Sequence, residues 1–192
     1  QPNANRKLSE GTPTFPASTF EELPSGEQMF GGVRFQIDDG LIQLRGKKNP
    51  DRPEKVEGIP VRTAFAKLYI FHGTQEGAGE YTIAEGTLIG HYDVRYEGDC
   101  VETIPVVYGE DVRDWWNNDG SEPVSRGKLV WVGQNAATRA MGKSLRLYLT
   151  MWESPHPNKK VMSIDFMSAE TGAAPFCVAM TVEVLADGVV NQ

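Results

Sequence analysis

The sequence predicts an all-β protein, an antiparallel β-sandwich or jelly roll of about ten strands with no long helix. Two observations carry this prediction. In many short segments apolar and polar residues alternate with a period of two, which is the pattern of a strand with one buried face. Turn-forming residues separate these segments, because 20 Gly and 12 Pro are spread over the 192 residues. A sandwich is favoured over a barrel for such a series of short strands.

The clearest alternation lies between Ser144 and Val184. Three amphipathic segments follow one another there, and Pro155 and Pro157 lie in the turn between the first two. Proline has no backbone N–H donor and fixes φ, so strand pairing must stop at that turn. We therefore expect three strands in an antiparallel meander, with one face in the core and the other in water.

Further strands are expected earlier in the chain. Val33–Ile37 alternates, and the Asp39–Gly40 turn leads into a returning strand, which predicts a tight hairpin. Gly46–Pro60 is expected to be a polar loop. Residues 110–120 (EDVRDWWNNDG) interrupt the strand pattern and predict a short helical turn or a long loop. The remaining predicted strands are Ala66–Phe71, Thr87–Gly98, Val101–Gly109 and Lys128–Asn135. Of these, Thr87–Gly98 and Val101–Gly109 are expected to pair with each other.

The domain organisation follows from composition. Residues 1–28 are rich in Pro, Ser, Thr, Glu and Asn and show no apolar period, which predicts a flexible N-terminal arm or linker. Residues 29–186 are expected to form the β-sandwich domain, and residues 187–192 a short C-terminal tail. An arm in front of a compact domain is typical of a mature secreted chain or of a module of a larger protein.

The charge of the chain argues against nucleic-acid binding, and its hydropathy argues against a transmembrane helix. The formal net charge is −7 and there is no long basic run, so we expect no binding to nucleic acid. No apolar run approaches the roughly 20 residues that a transmembrane helix needs.

Cys100 and Cys177 form no CxxC pair and no zinc spacing. A disulfide and two separate, accessible thiols both fit this pattern.

Seven segments within residues 30–185 carry a family resemblance: GGVRFQI, AKLYIFHGT, HYDVRYEGD, IPVVYGEDVRDWW, LVWVGQN, LRLYLTMWESPHPNKKVMSIDFMS and PFCVAMTVEV. Together they resemble bacterial galactose-binding-like accessory domains, which are appended to extracytoplasmic hydrolases and to envelope or regulatory proteins. The resemblance implies a jelly-roll sandwich, a non-catalytic role that is often carbohydrate binding, and a periplasmic, envelope-associated or secreted location. The chain departs from the expected Trp-Glu-Asn-Pro motif at Ser154.

An aromatic loop is the first candidate binding site. Sugar rings stack on aromatic faces while carboxylates and amides hold their hydroxyl groups, and a Trp pair in a polar loop supplies both. The alternative is that one Trp closes the open end of the sandwich, since Trp is highly buried on average. The candidate glycan-binding residues are Trp115, Trp116, Asp111, Asp114, Asn117 and Trp152.

A metal site is the second candidate. His91 and Asp93 share one strand face, and His72 ends another strand, so the three would converge if these strands paired. A solvated His beside an ion-paired Asp is the simpler interpretation. The acidic turns of the chain also suit a structural Ca²⁺ ion, and solvated hairpin turns are again the alternative.

No hydrolase elbow, P-loop or dinucleotide fingerprint occurs in the sequence. We therefore predict a non-catalytic module that binds a glycan or polysaccharide. A protein-interaction or scaffold domain of a bacterial envelope or signalling protein is the alternative. A metal-dependent hydrolase that uses His72, His91 and Asp93 is the third hypothesis.

Overall fold

The fold was obtained as a computed structural model, which describes residues 5–11, 17, 19–77, 83–117 and 123–185. Strands make up 53% of the described residues and helix only 3%. The predicted all-β antiparallel sandwich without a long helix is confirmed. The described residues form thirteen strands rather than about ten, because several strands of two to five residues are too short to show a period.

The elements follow in chain order. They are β1 (Asn5–Arg6), β2 (Gly26–Phe30), β3 (Val33–Ile37), β4 (Leu41–Gln43), β5 (Lys55–Thr63), β6 (Lys67–Gln75), β7 (Leu88–Tyr96), β8 (Val101–Val107), β9 (Trp116–Asn117), β10 (Lys128–Gly133), α1 (Ala136–Ala140), β11 (Ser144–Glu153), β12 (Val161–Ser168) and β13 (Ala174–Glu183).

Two antiparallel sheets form the sandwich. The large sheet has the order β1-β4-β13-β6-β11-β10, with β9 also paired to β11, and the small sheet has the order β5-β12-β7-β8. Strands β2 and β3 form a separate hairpin. The predicted meander of β11, β12 and β13 is wrong, because β12 lies in the small sheet and β13 pairs with β6. The connectors around β12 pass between the sheets instead of turning within one.

The predicted hairpins have mixed outcomes. Strands β7 and β8 pair as expected, with His91 opposite Pro105 and Tyr92 opposite Ile104. The hairpin predicted across the Asp39–Gly40 turn is wrong: β3 pairs with β2, and β4 pairs with β1 and β13. The turn therefore carries the chain from the outer hairpin into the large sheet. The polar loop predicted to end at Pro60 is also wrong, since β5 covers Lys55–Thr63.

The large sheet is buried on both faces. Towards the small sheet it contributes Leu68 and Tyr148 to one apolar cluster, which also contains Tyr92, Ile164 and Phe166. Its opposite face forms a second cluster against the β2–β3 hairpin and the N-terminal segment; members include Phe20, Phe35, Phe71, Trp131, Leu147 and Phe176. All residues from Leu145 to Thr150 of β11 are consequently buried. The expectation that one face of β11 meets water is wrong, because each face has its own cover.

The N-terminal segment differs from the expected flexible arm wherever the structure describes it. Strand β1 pairs with β4. Leu8, Phe20 and Leu23 are buried in the second cluster, and the Phe20 N–H donates to the Leu8 carbonyl at 2.8 Å. These few apolar residues pack against the domain although the stretch around them is polar. Their spacing shows no strand or helix period. The predicted tail, residues 187–192, lies outside the described residues.

The structure also bears on the expected absence of a transmembrane helix and on the state of the two cysteines. In the described part of the chain, no helix is both long and apolar enough to cross a membrane. Cys100 and Cys177 are both free thiols. Cys177 is buried between the sheets rather than on a polar face, and burial raises the pKa of its thiol to about 12. This thiol is therefore protonated at neutral pH.

Replacing Phe20 tests whether the N-terminal segment belongs to the fold. The Phe20 ring lies 4.8 Å from the Trp115 ring and 5.7 Å from the Phe176 ring, centroid to centroid. Phe20→Ala should lower the free energy of unfolding by about 3–5 kcal/mol, because it leaves a cavity among these rings. Denaturant melts measure this loss. Met29→Ala is the control, since its side chain is exposed; a Phe20→Ala loss as small as the control's would contradict the packing.

Candidate functional site

The two loop tryptophans have different environments. Trp115 is only 4% exposed, and its N–H donates to the Thr74 carbonyl at 2.8 Å. Its ring packs against Phe20 and lies edge-on to Phe176 at 6.2 Å. Trp115 therefore closes one end of the second cluster, as the alternative interpretation expects for one Trp of the pair. Trp116 is half-buried in β9, where it pairs with Leu145.

The polar residues beside the tryptophans hold the loop in place. The Asp114 carboxylate accepts the backbone N–H of Gly77 at 2.7 Å and that of Trp116 at 2.8 Å. The Asn117 side-chain oxygen accepts a hydrogen bond of 3.4 Å from Arg146, which is itself buried. These groups thus stabilise the loop, and a glycan would have to replace contacts that already exist.

Asp111 is fully buried and anchors the turn after β8. Its carboxylate accepts the Val107 N–H at 2.7 Å and the Arg126 Nε–H at 2.7 Å. The hydrogen bond from Arg126 to this carboxylate is the main cause that raises the pKa of the guanidinium. Burial of a carboxylate is costly unless it is paired in this way. Asp111 is therefore a structural residue of the turn.

Trp152 lies away from the other candidates. It is on β11 seven residues after Leu145, the partner of Trp116, which corresponds to about 23 Å along a strand. Its half-buried ring contacts Phe65 edge-on at 6.4 Å. The structure thus brings Trp116, Asp114 and Asn117 together and leaves Trp152 at the other end of the sheet.

The predicted histidine metal site does not assemble. His72 is 1% exposed on β6, and its Nε2 lies 2.8 Å from the Thr150 hydroxyl in the interior. His91 and Asp93 flank the fully buried Tyr92 on β7, so they point to the outer face of the small sheet. His91 Nε2 lies 3.9 Å from Asp93 Oδ1. A sheet therefore separates His72 from the other two residues.

A cleft with a volume of about 910 Å³ lies between the two sheets. The large sheet contributes β1, β4 and β13 to it, and the small sheet contributes β5 and β12. Most of its wall residues are aliphatic or sulfur-containing, with Asn5 and Thr63 as polar members of the lining. The apolar residues include Leu41, Ile42, Ile59, Val61, Leu68, Ile164, Cys177, Met180 and Val182. None of the described residues in the wall is aromatic.

The mouth of the cleft is polar. Lys7, Glu10, Asp38 and Asp39 lie there, so charges of both signs surround an apolar interior. Arg6 also belongs to the lining, and its guanidinium donates to the Glu10 carbonyl at 2.9 Å. Burial lowers the pKa of Arg6 to about 10, and the Arg52 charge acts in the same direction. The hydrogen bond from Arg6 to Glu10 lies within the N-terminal segment, and both residues belong to the lining of the cleft.

Sequence patterns do not predict this cleft. Each of its two walls combines strands that are distant in the sequence, β4 with β13 and β5 with β12. Strand β5 also has alternating exposure with several polar residues. The inner residues Ile59 and Val61 are two positions apart on β5, which is a weak signal of a strand face. Only the three-dimensional arrangement shows that the two sheet edges stay apart.

A second group of chemically reactive side chains lies at the tip of the β7–β8 hairpin. Cys100, Glu102 and His156 bring their ligand atoms within 4.8 Å of one another. Within the described ranges this is the only group of three or more His, Cys, Asp or Glu residues that meets this distance. It contains none of the residues predicted for a metal. The two acidic turns considered for a structural Ca²⁺ ion, Asp38–Gly40 and Glu97–Asp99, do not belong to it either.

Comparison with known proteins adds no relative. No protein-family model, no curated protein and no solved structure matches this chain.

The tryptophan pair can be separated by mutation. Trp115→Ala should lower the free energy of unfolding by about 3–5 kcal/mol, because it empties a buried site among aromatic rings. Trp116→Ala should lower the free energy of unfolding by a smaller amount, since that ring is half-buried. Thermal and denaturant melts of the two variants make this comparison. Equal losses would show that both rings support the fold to the same degree.

The buried His72 predicts a pH dependence of stability. Burial lowers the pKa of His72 to about 4, and the nearby Asp111 carboxylate opposes this shift only in part. The unfolded chain therefore binds a proton between about pH 6.5 and pH 4 that the native protein does not bind. The free energy of unfolding should fall as the pH is lowered through this window, by up to about 1.4 kcal/mol per pH unit.

His72→Gln removes this titration and keeps a polar side chain at the position. Its stability should fall less steeply between pH 6.5 and pH 4 than that of the wild type. His91→Gln, on the outer face, is the matched control and should follow the wild-type slope. The assignment would be refuted by a His72→Gln variant with unchanged acid sensitivity in urea melts at each pH.

Proposed function

We propose that this chain is a non-catalytic binding module that takes an aliphatic chain, of the fatty-acyl class, into the cleft between its sheets. The observation that carries the proposal is the wall of the cleft, which is aliphatic on both sides and meets solvent at a polar mouth. The volume of about 910 Å³ falls within the range of small-molecule sites, roughly 300–1,000 Å³.

The chemistry of the wall favours an alkyl chain over a sugar. Ile59 and Val61 line one side, while Met180 and Val182 line the other. Each methylene group that leaves water for such a surface gains about 0.8 kcal/mol. A buried sugar hydroxyl would need hydrogen-bond partners, and these side chains offer none. An aliphatic ligand is therefore the best match to the interior.

The mouth of the cleft supports an amphipathic ligand. Lys7, Glu10 and the adjacent Asp38 and Asp39 surround the opening with charges. A ligand with an apolar tail and a polar head group can bury the tail between the sheets while its head group stays hydrated at this rim. Met180 adds adaptability, because an unbranched thioether side chain fits chains of different shape.

The proposal keeps the non-catalytic role, in an extracytoplasmic module, that the family resemblance implies. It replaces the glycan by an acyl chain because Trp115, Asp111 and Asp114 are engaged within their own loop. Glycan binding and protein binding are the alternatives that the experiment below separates. A hydrolase built on His72, His91 and Asp93 has no support, since these residues lie on different faces.

A charge placed in the cleft tests the proposal. The wild-type protein should bind a fluorescent fatty acid, and unlabelled palmitate should displace it. Met180→Glu should weaken binding by at least about tenfold, because a carboxylate in the apolar wall is desolvated whenever an acyl chain enters. Fluorescence titration measures the affinity, and circular dichroism establishes that the variant is folded.

Met162→Glu is the matched control, because Met162 is exposed on β12 and is not part of the cleft lining. It should bind the probe as the wild type does. The proposal fails if the wild-type protein binds no fatty acid or if both variants bind equally well. Retention on a polysaccharide gel that is lost in Trp116→Ala would instead support the glycan hypothesis.

A further inference from the structure

The tip of the β7–β8 hairpin is separate from the cleft and carries three side chains that can bind a metal ion. Cys100 follows the β7–β8 turn, Glu102 lies on β8, and His156 lies in the connector between β11 and β12. His156 Nε2 is 3.2 Å from Glu102 Oε1. All three residues are half-buried, so their side chains are accessible to an ion while the surrounding backbone is ordered by two strands.

We propose that Cys100, Glu102 and His156 form a Zn²⁺ site. Thiolate, imidazole and carboxylate are the three ligand types that proteins use for zinc. A thiolate ligand also selects zinc over the hard cations Ca²⁺ and Mg²⁺, which prefer oxygen. Glu102 and His156 already contact each other, and a metal ion would replace this contact with two stronger bonds.

The distances suit the ion after a small adjustment. In a tetrahedral zinc complex neighbouring ligand atoms are about 3.5 Å apart. The three ligand atoms here lie within 4.8 Å of one another, so they must approach by up to about 1.3 Å. Rotation of the Cys100 and Glu102 side chains can provide this movement without a change of the backbone.

His156 is held in position by its own neighbours. Pro155 and Pro157 flank it and fix their own backbone angle φ. The His156 N–H donates to the Ser154 hydroxyl at 3.2 Å, and this hydroxyl also lies 2.8 Å from the Tyr96 hydroxyl. The imidazole stands edge-on to the Tyr96 ring at 5.3 Å. Such supporting contacts orient a metal-binding histidine before the ion arrives.

The turn positions the thiol in a comparable way. Gly98 and Asp99 adopt positive φ angles of 74° and 60°, and the Tyr96 N–H donates to the Cys100 carbonyl at 2.9 Å. Cys100 and Glu102 are two residues apart, which places both side chains on the same side of an extended chain. The turn therefore presents two ligands together, towards the connector that carries the third.

Binding would release the thiol proton and form a zinc–thiolate bond, with the Glu102 carboxylate and the neutral imidazole as further ligands. Three protein ligands leave the fourth position for a water molecule. The ion would link the tip of the small-sheet hairpin to the connector between the sheets. We therefore expect zinc to stabilise the folded protein by mass action.

Cobalt provides a direct test, since Co²⁺ bound to a thiolate shows a charge-transfer absorption in the near ultraviolet. The reduced, metal-free full chain should develop this absorption with one equivalent of Co²⁺ and lose it when Zn²⁺ is added. Cys100→Ala should abolish the absorption. His156→Ala and Glu102→Ala should each weaken Zn²⁺ binding by at least about tenfold in competition with a chromogenic chelator.

Matched controls are available on the same domain. Cys177→Ala removes the other cysteine, and His91→Ala removes a histidine outside the site; both should bind Co²⁺ and Zn²⁺ like the wild type. Zinc should raise the melting temperature of the wild type but not that of Cys100→Ala. The proposal is overturned if the wild type shows no charge-transfer absorption, or if the absorption persists in Cys100→Ala.

Discussion

The structure depends on one constraint: the large sheet must exclude water from both of its faces. The small sheet covers one face, and the β2–β3 hairpin together with the N-terminal segment covers the other. Some polar residues of the middle layer have internal partners: His72 contacts the Thr150 hydroxyl, and Arg146 donates to the Asp114 carbonyl. Each buried polar group without a partner would cost the fold free energy.

This constraint decides which parts of the molecule can bind a ligand. The loop with Trp115 closes the second cluster: Trp115 packs into it, and Asp114 accepts hydrogen bonds from the backbone around it. The cleft lies between the two sheets, where aliphatic residues of β5 and β13 line it. The cleft lining and the core therefore contain the same kind of aliphatic side chain, and they differ in how far other residues cover them.

The fold class could be predicted from the sequence, but the pairing of strands could not. Alternation in β11 shows that Leu145 and Leu147 share a face, yet it does not show that a second layer also covers Arg146 and Tyr148. Phe20 and Leu8 stand alone among polar residues, so they give no periodic signal. The Cys100, Glu102 and His156 group combines local spacing with a residue from a distant connector, which one sequence cannot bring together.

The position of β13 has a consequence for how the protein forms. This last strand lies between β4 and β6 in the large sheet, with Cys177 opposite Ile42 on one side and His72 on the other. Contacts of such high sequence separation close late and slow folding. During synthesis, β4 and β6 can pair with β13 only after β13 has left the ribosome. Until then the edges of β4 and β6 stay unpaired, and protection by a chaperone would matter most at that stage.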